Sequence, residues 1–218
     1  VIRIALTGTR GRMGQLIAKA VVADETVALV SNEKEATRCD VFIDFTAPVA
    51  TLEYLKIASA LKVPLVIGTT GFTQTEKDLI TEASTLIPIV YSPNMSIGIN
   101  LVYQLLSVAT DILKERAEVG IIDIHHRHKK DAPSGTALRM AEVIEEAGIK
   151  PQQIQISSLR LGEAIGMHQA LFSWGVEEID ITHRATNRDC FAAGALLAAK
   201  WITGKSPGLY SMQDVLKV

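Results

Sequence analysis

Three glycines placed directly behind a short apolar segment constrain this chain more than any other feature. Ile2-Arg3-Ile4-Ala5-Leu6 has the composition of a buried strand, and Gly8, Gly11 and Gly14 follow it at the spacing G-x-x-G-x-x-G, a shifted form of G-x-G-x-x-G. Glycines at these positions let the backbone turn tightly and bring its N–H groups up to a pyrophosphate at the start of the next helix. By itself the triplet fits a tight turn as well as a nucleotide site. Its place behind the first strand, in a chain whose first third repeats strand and helix, favours the nucleotide. Arg10 and Arg12 are then either solvated surface residues or ligands for the anion, with Met13 in the same loop.

The repetition can be followed residue by residue. Segments 2–6, 27–30, 41–45, 65–67 and 89–91 are strand-sized and too apolar for a sheet with one wet face. Between them, 12–24, 49–61 and 73–85 have helical spacing, the last opening on a Thr73/Glu76 capping box. Such alternation implies a parallel sheet covered on both faces. Beyond Pro93 the pattern changes. A long helix over 97–116, a strand over 118–126 and a helix over 134–147 are followed by three strands, 153–161, 167–173 and 177–185, with no helix between them. The clear alternation in 178–183 predicts a sheet with one face open or laid against another subunit. A final helix over 188–202 is closed by Gly204 and Pro207. The predicted fold class is α/β: an N-terminal Rossmann-like parallel sheet, then a C-terminal α+β domain with a mixed, mostly antiparallel sheet.

Composition excludes several classes. With 48% hydrophobic and 21% charged residues the chain is an ordinary globular one, neither disordered nor fibrous. A net charge of −2 exerts no general pull on nucleic acid or anionic membrane. Residues 83–110 are uncharged, but Pro88, Pro93 and Gly98 interrupt them, so no membrane span is expected. The first strand runs straight into the glycine loop, and no signal peptide is expected either. Cys39 and Cys190, far apart in sequence, read as reduced thiols of a cytoplasmic protein.

Two further loops stand where an open α/β sheet places its site, at the carboxyl ends of strands: Phe45-Thr46-Ala47-Pro48 and Gly68-Thr69-Thr70-Gly71-Phe72. Their hydroxyls and small residues suit a ribose or a nicotinamide amide, or make simple strand-to-helix turns. An acidic side chain that bonds the adenosine ribose is expected about 20 residues past the glycine loop, and Glu33 stands there.

The richest chemistry lies in residues 123–137, Asp-Ile-His-His-Arg-His-Lys-Lys-Asp-Ala-Pro-Ser-Gly-Thr-Ala. Three fixed positive charges and three histidines end a strand, and Ser134 then caps a helix. The amides of Gly135 and Thr136 can hold a carboxylate or phosphate there, beside imidazoles able to give a proton. A solvated basic strand end is the plain alternative. Metal binding is disfavoured, since His125 and His126 point to opposite faces of a strand and no cysteine or carboxylate appears at ligand spacing. Nucleic-acid binding would need interleaved aromatics, and only 5% of the chain is aromatic.

Taken together, residues 8–14, Asp44-Phe45-Thr46, 68–72, Ser92-Pro93-Asn94-Met95-Ser96-Ile97-Gly98-Ile99-Asn100 and above all 125–136 resemble the dihydrodipicolinate reductase family over nearly the whole chain. The resemblance implies transfer of hydride from NADH or NADPH to C4 of a cyclic dicarboxylate in diaminopimelate and lysine biosynthesis, with protonation of the neighbouring carbon. It implies His125 as general acid and Lys129 as its cationic catalytic partner. His126, Lys129, Ser134, Gly135 and Thr136 would hold the carboxylates, with Thr70 reaching the substrate from the first domain. Cofactor contacts would come from Gly8, Arg10, Gly11, Arg12, Met13, Gly14, Phe45, Thr46, Gly68, Thr70, Ser92, Asn94 and Met95. A short helix over 211–216 would return to the first domain. The division is then 1–94 with 206–218 for the dinucleotide, and 95–205 for substrate and for assembly of a homotetramer. Three departures stand out: the stretch between Val30 and Cys39 is much shorter than usual in the family, Met95 replaces a common aromatic, and Asp123 a common glutamate. The competing functions are another NAD(P)-dependent amino- or keto-acid dehydrogenase, and a non-catalytic dinucleotide sensor.

Overall fold

The computed structural model describes residues 1–30 and 38–217; Glu33 lies outside the described residues. From the N terminus the chain forms β1 (Ile2–Leu6), α1 (Arg12–Val22), β2 (Val27–Leu29), β3 (Val41–Asp44), α2 (Pro48–Leu61), β4 (Leu65–Ile67), α3 (Gln74–Ala83) and β5 (Pro88–Tyr91). It continues through α4 (Ile97–Leu113), β6 (Glu118–His125), α5 (Gly135–Glu146), β7 (Ile154–Arg160), β8 (Gly166–Trp174), β9 (Glu177–Ala185), α6 (Asp189–Ile202), β10 (Gly208–Tyr210) and α7 (Met212–Leu216). Two compact units result, Val1–Ile97 with Arg188–Val218, and Gly98–Asn187.

The first unit is built on a parallel sheet in the order β10-β5-β4-β3-β1-β2. Every residue of β3 and β4 is buried, as a sheet covered on both faces demands. One face packs Ile4, Val41, Ile43 and Val66 against Ile17 and Val21 of α1 and the small residues of α6. The other packs Phe42, Leu65, Ile67 and Ile89 against Leu55 and Ala58 of α2 and Ile80 of α3. The Thr73/Glu76 capping box is present, and Ser211 and Asp214 form a second one at the start of α7.

The expected division is corrected at its second crossing: α6, assigned by sequence to the substrate domain, belongs to the first unit. Its Ala192, Ala195, Ala198 and Ala199 are buried in that unit's core. A Cβ at Gly194 would lie 1.7 Å from the Met95 carbonyl oxygen, so only glycine lets the helix come this close. The apolar stripe of α6 specifies burial but not which core receives it. The returning helix is found as α7, together with the short strand β10, which the sequence did not announce.

The second unit carries a sheet in the order β7-β6-β8-β9, with β6 and β7 parallel and the other pairs antiparallel. One face is covered by α4 and α5 through Ile99, Leu106, Val119, Ile121, Met140, Ile144, Ala170 and Phe172. Along β6, residues alternate strictly between buried and half-buried after Glu118, and the buried set ends in two polar side chains, Asp123 and His125.

Candidate active site

In the first unit the glycine loop is folded back on itself. Gly8 has φ +63° and its carbonyl accepts the Gly11 N–H at 2.9 Å. A Cβ at Gly14 would stand 2.2 Å from that same carbonyl oxygen and 2.8 Å from the Thr9 Cα, so α1 starts directly against the turn. No side-chain hydrogen bond caps this helix at Gly11, and Arg10 and Arg12 are exposed beside it. A close backbone cradle, a helix start without a side-chain cap and two cations make a fit for a pyrophosphate.

Behind the loop lies a residue that sequence reasoning treated only as part of a motif. Asp44, wholly buried at the end of β3, accepts hydroxyl hydrogen bonds from Thr7, Thr46 (2.8 Å), Thr51 and Thr69 (2.9 Å). These threonines come from the end of β1, the end of β3, α2 and the loop after β4, so one carboxylate ties together the loops expected to meet a cofactor. Burying it is tolerable only because it is fully hydrogen-bonded. Gly68 has the ring of Phe45 where its Cβ would be, at 2.2 Å, which locks two of those loops together. Thr70 is exposed at the next turn. Ser92 and Asn94 shape the loop after β5: the Ser92 hydroxyl donates to the Asn94 carbonyl at 2.8 Å, and the Asn94 side chain accepts the Ser96 N–H at 3.0 Å. Met95, at the end of the same loop, is 1% exposed and packs in the first unit's core.

The second unit brings His125, Lys129 and the start of α5 into one neighbourhood. Ser134 caps α5, accepting the Ala137 N–H at 3.2 Å, and its own N–H donates to Asp123 Oδ2 at 2.9 Å. Gly135 follows, exposed, with open space where a side chain would be. Thr136 is hydrogen-bonded to Tyr103, whose hydroxyl is pushed up to about 12, mainly by burial. Lys129 Nζ donates to both carboxylate oxygens of Asp131 at 2.7 Å. His126 is half-buried.

His125 is 8% exposed, and its Nδ1 lies 2.7 Å from Asp123 Oδ1. Burial depresses its pKa below the ordinary value; Asp123 opposes this, while Lys129 and Arg160 add to it. Asp123 itself is held at about 2: burial raises it, but Arg160, Ser134 and Ser158 more than offset that. His168, 4% exposed, is directly opposite Asp123 in the β6–β8 pairing, and its Nε2 lies 3.8 Å from Asp123 Oδ1 and 3.4 Å from the Ser134 hydroxyl. Contrary to the sequence spacing, a carboxylate does stand beside the histidines. Asp123 shares a strand face with His125, and only the sheet register adds His168. Donor atoms of these three residues lie within 4.8 Å of one another, an arrangement a cation can use. Arg160 Nη2, 2.9 Å from Asp123 Oδ2, already supplies the fixed positive charge that this carboxylate needs.

With that geometry in hand, similarity to known proteins becomes informative. Residues 98–216 match the family described as dihydrodipicolinate reductase, C-terminus, and residues 2–37 and 31–95 match its N-terminus. The chain belongs to the dihydrodipicolinate reductase family. The 4-hydroxy-tetrahydrodipicolinate reductase of Thiobacillus denitrificans is 36% identical to it over 262 positions, covering 99% of this chain and 98% of the relative. That of Anaeromyxobacter dehalogenans is 43% identical, covering 93% of this chain and 79% of the relative. Among solved structures, a dipicolinate-bound dihydrodipicolinate reductase from Paenisporosarcina sp. TG-14 superposes with a TM-score of 0.82 at 26% identity, covering 98% of both chains. Within the family this chain is short: its 218 residues align over 262 positions with the first relative. The N-terminal family match falls into two segments that meet at residues 31–37, the shortened stretch.

Proposed function

We propose that this protein is an NAD(P)H-dependent reductase that converts 4-hydroxy-tetrahydrodipicolinate to tetrahydrodipicolinate in diaminopimelate and lysine biosynthesis. The observation that carries the reading is the family match across both units, joined to a buried histidine, a lysine and a capped helix start in the second one. When bound, NADH or NADPH would supply the hydride to C4 of the ring, the 4-hydroxyl leaving with a proton from the neighbouring ring carbon as water, so that the hydride and proton gained and the water lost together give tetrahydrodipicolinate. The first unit's residues 8–14 hold the pyrophosphate on backbone amides with Arg10 and Arg12 alongside, and Phe45, Thr46, Gly68 and Thr70 position the nicotinamide end. The second unit holds the dicarboxylate with His126, Lys129 and the helix start at Ser134, Gly135 and Thr136, where α5's dipole favours negative charge. His125 delivers the proton to the carbon beside C4, and Lys129 stabilises the negative charge that builds up on the substrate.

Assembly follows from the open side of the second sheet. Leu159 is exposed there, 47%, beside half-buried Ile122, Ile124 and Leu171 on the same face, and covering such a surface by the same sheet of other copies gives a homotetramer. Among the described residues no helix is long and apolar enough to cross a membrane, and Cys39 and Cys190 are free thiols, which fits work in the reducing cytoplasm. The decisive experiment mixes the purified protein with NADH or NADPH and freshly made 4-hydroxy-tetrahydrodipicolinate and follows oxidation of the cofactor. Steady turnover is expected. Tight binding of both compounds without oxidation would refute the assignment.

A further inference from the structure

We infer that Asp123 is the positioning residue of the proton-delivery step, one buried carboxylate whose two oxygens divide the work: Oδ1 holds the ring of His125, and Oδ2 holds the first turn of the helix that receives the substrate's carboxylate. This inference rests on the reductase reading.

The two oxygens have different surroundings. Oδ2 accepts from Arg160 Nη2 at 2.9 Å, the Ser158 hydroxyl at 3.0 Å and the Ser134 N–H at 2.9 Å. Oδ1 faces the imidazoles instead, with His125 Nδ1 at 2.7 Å and His168 Nε2 at 3.8 Å. The contact is not aligned as a hydrogen bond, yet both atoms are buried and neither has another hydrogen-bond partner among the described residues, so a proton on Nδ1 turned toward Oδ1 is the arrangement that satisfies both. The proton is therefore fixed on Nδ1, and Nε2 is the atom that exchanges a proton with the substrate. Around Nε2 the chain is pared down: a Cβ at Gly166 would sit 3.1 Å from it, and glycine leaves that edge of the ring uncovered.

Charge makes Asp123 more than a peg. His125 faces Asp123 from its own strand, Lys129 from the following loop, Arg160 from β7 and His168 from β8, and His168 in turn stacks on His183 of β9 at 6.3 Å between ring centres. Lys129 and Arg160 disfavour a protonated His125, and the Asp123 carboxylate is what opposes them. Arg160 extends the same network, since its Nη2 also donates to the Asp131 carbonyl at 2.6 Å. The loop that carries Lys129 and the strand that carries His125 are thus fixed to one carboxylate.

The test compares Asp123→Asn, Asp123→Glu and Gly166→Ala with the unchanged protein. Asparagine keeps the shape and an acceptor for Ser134 but loses the charge, and a proton on Nδ1 is no longer enforced. Its kcat is expected to fall about 100-fold near neutral pH, with the limb that needs protonated His125 moved at least about one unit to lower pH. NADPH affinity should stay unchanged, and the Kd for dipicolinate, used as a non-reacting probe, should rise about three- to tenfold as the helix start loosens. Glutamate, which restores the charge, should recover most of the rate and the original pH limb. Gly166→Ala should lower kcat with NADPH binding intact. An Asp123→Asn enzyme with the normal pH profile overturns the inference, as does an equal loss in the Asn and Glu variants. Nitrogen NMR of His125 gives a readout independent of turnover: Nδ1–H in the unchanged protein and a lowered titration midpoint in Asp123→Asn are expected. Nδ1 found unprotonated would overturn the inference even in an active enzyme, whereas the expected NMR with no turnover would refute only the reductase reading.

Discussion

Replacing His168 by glutamine should make the second unit less sensitive to acid. In the folded chain this ring is enclosed by β6, β8 and β9, and its pKa is pushed down to about 4, chiefly by burial and then by the nearby His125, with Asp123 opposing. An unfolded histidine titrates near 6.5. Below that pH the unfolded chain binds a proton that the folded chain refuses, so stability is lost as pH falls through 6.5 and the loss is complete only below about 4. Linkage between these two values gives a loss of about 2 kcal/mol on going from about pH 7.5 to about pH 5. Asp123, held at about 2, contributes only at still lower pH, so it does not confuse this window. His125 and His183 are shifted in the same direction as His168, but they are present in both proteins compared. The chain has two tryptophans, and in a Trp201→Phe background Trp174 on β8 reports the second unit alone. Urea unfolding of that parent and of its His168→Gln derivative, each at the two pH values, gives four free energies. The parent should lose about 2 kcal/mol more than the derivative. Equal losses, within about 0.5 kcal/mol, would refute a neutral buried His168.

Other outcomes follow from the same geometry. Gly14→Ala puts a methyl group 2.2 Å from the Gly8 carbonyl oxygen, so the loop must open; NADPH affinity measured by fluorescence titration should fall more than about tenfold, with dipicolinate binding unaffected. Lys129→Ala should cost on the order of 2–5 kcal/mol in transition-state binding, read as kcat/KM, while NADPH affinity barely changes; near-normal kcat/KM would remove Lys129 from the chemistry. NADH and NADPH should both serve within about tenfold in kcat/KM, because cations at Arg10 and Arg12 offset a carboxylate at Glu33. Glu33→Ala should hurt NADH more and Arg12→Ala should hurt NADPH more, and a hundredfold preference in the unmutated enzyme would end that argument.

Much of this molecule is decided within a few residues of chain. Apolar runs too short for helices, glycines after the first strand, the Thr73/Glu76 pair and Ser134 ahead of Gly135 each act through neighbours no more than a turn away, so their spacing alone dictates strand, tight turn and capped helix. The parallel first sheet, the mixed second one and the grouping of His125, Lys129 and the α5 start were legible for that reason. Other features depend on segments that meet only in the folded chain. Periodicity makes α6 apolar on one side, but the choice of the first unit's core over the second was made by close packing of Gly194 on Met95, which also buried the Met95 side chain. The four threonines around Asp44 span residues 7 to 69, and His168 meets Asp123 solely through the β6–β8 register. Local sequence determines which face of an element is apolar and where the element starts and stops. Which distant side chains share a buried charge is set by register and packing, and these exist only once the sheets are assembled.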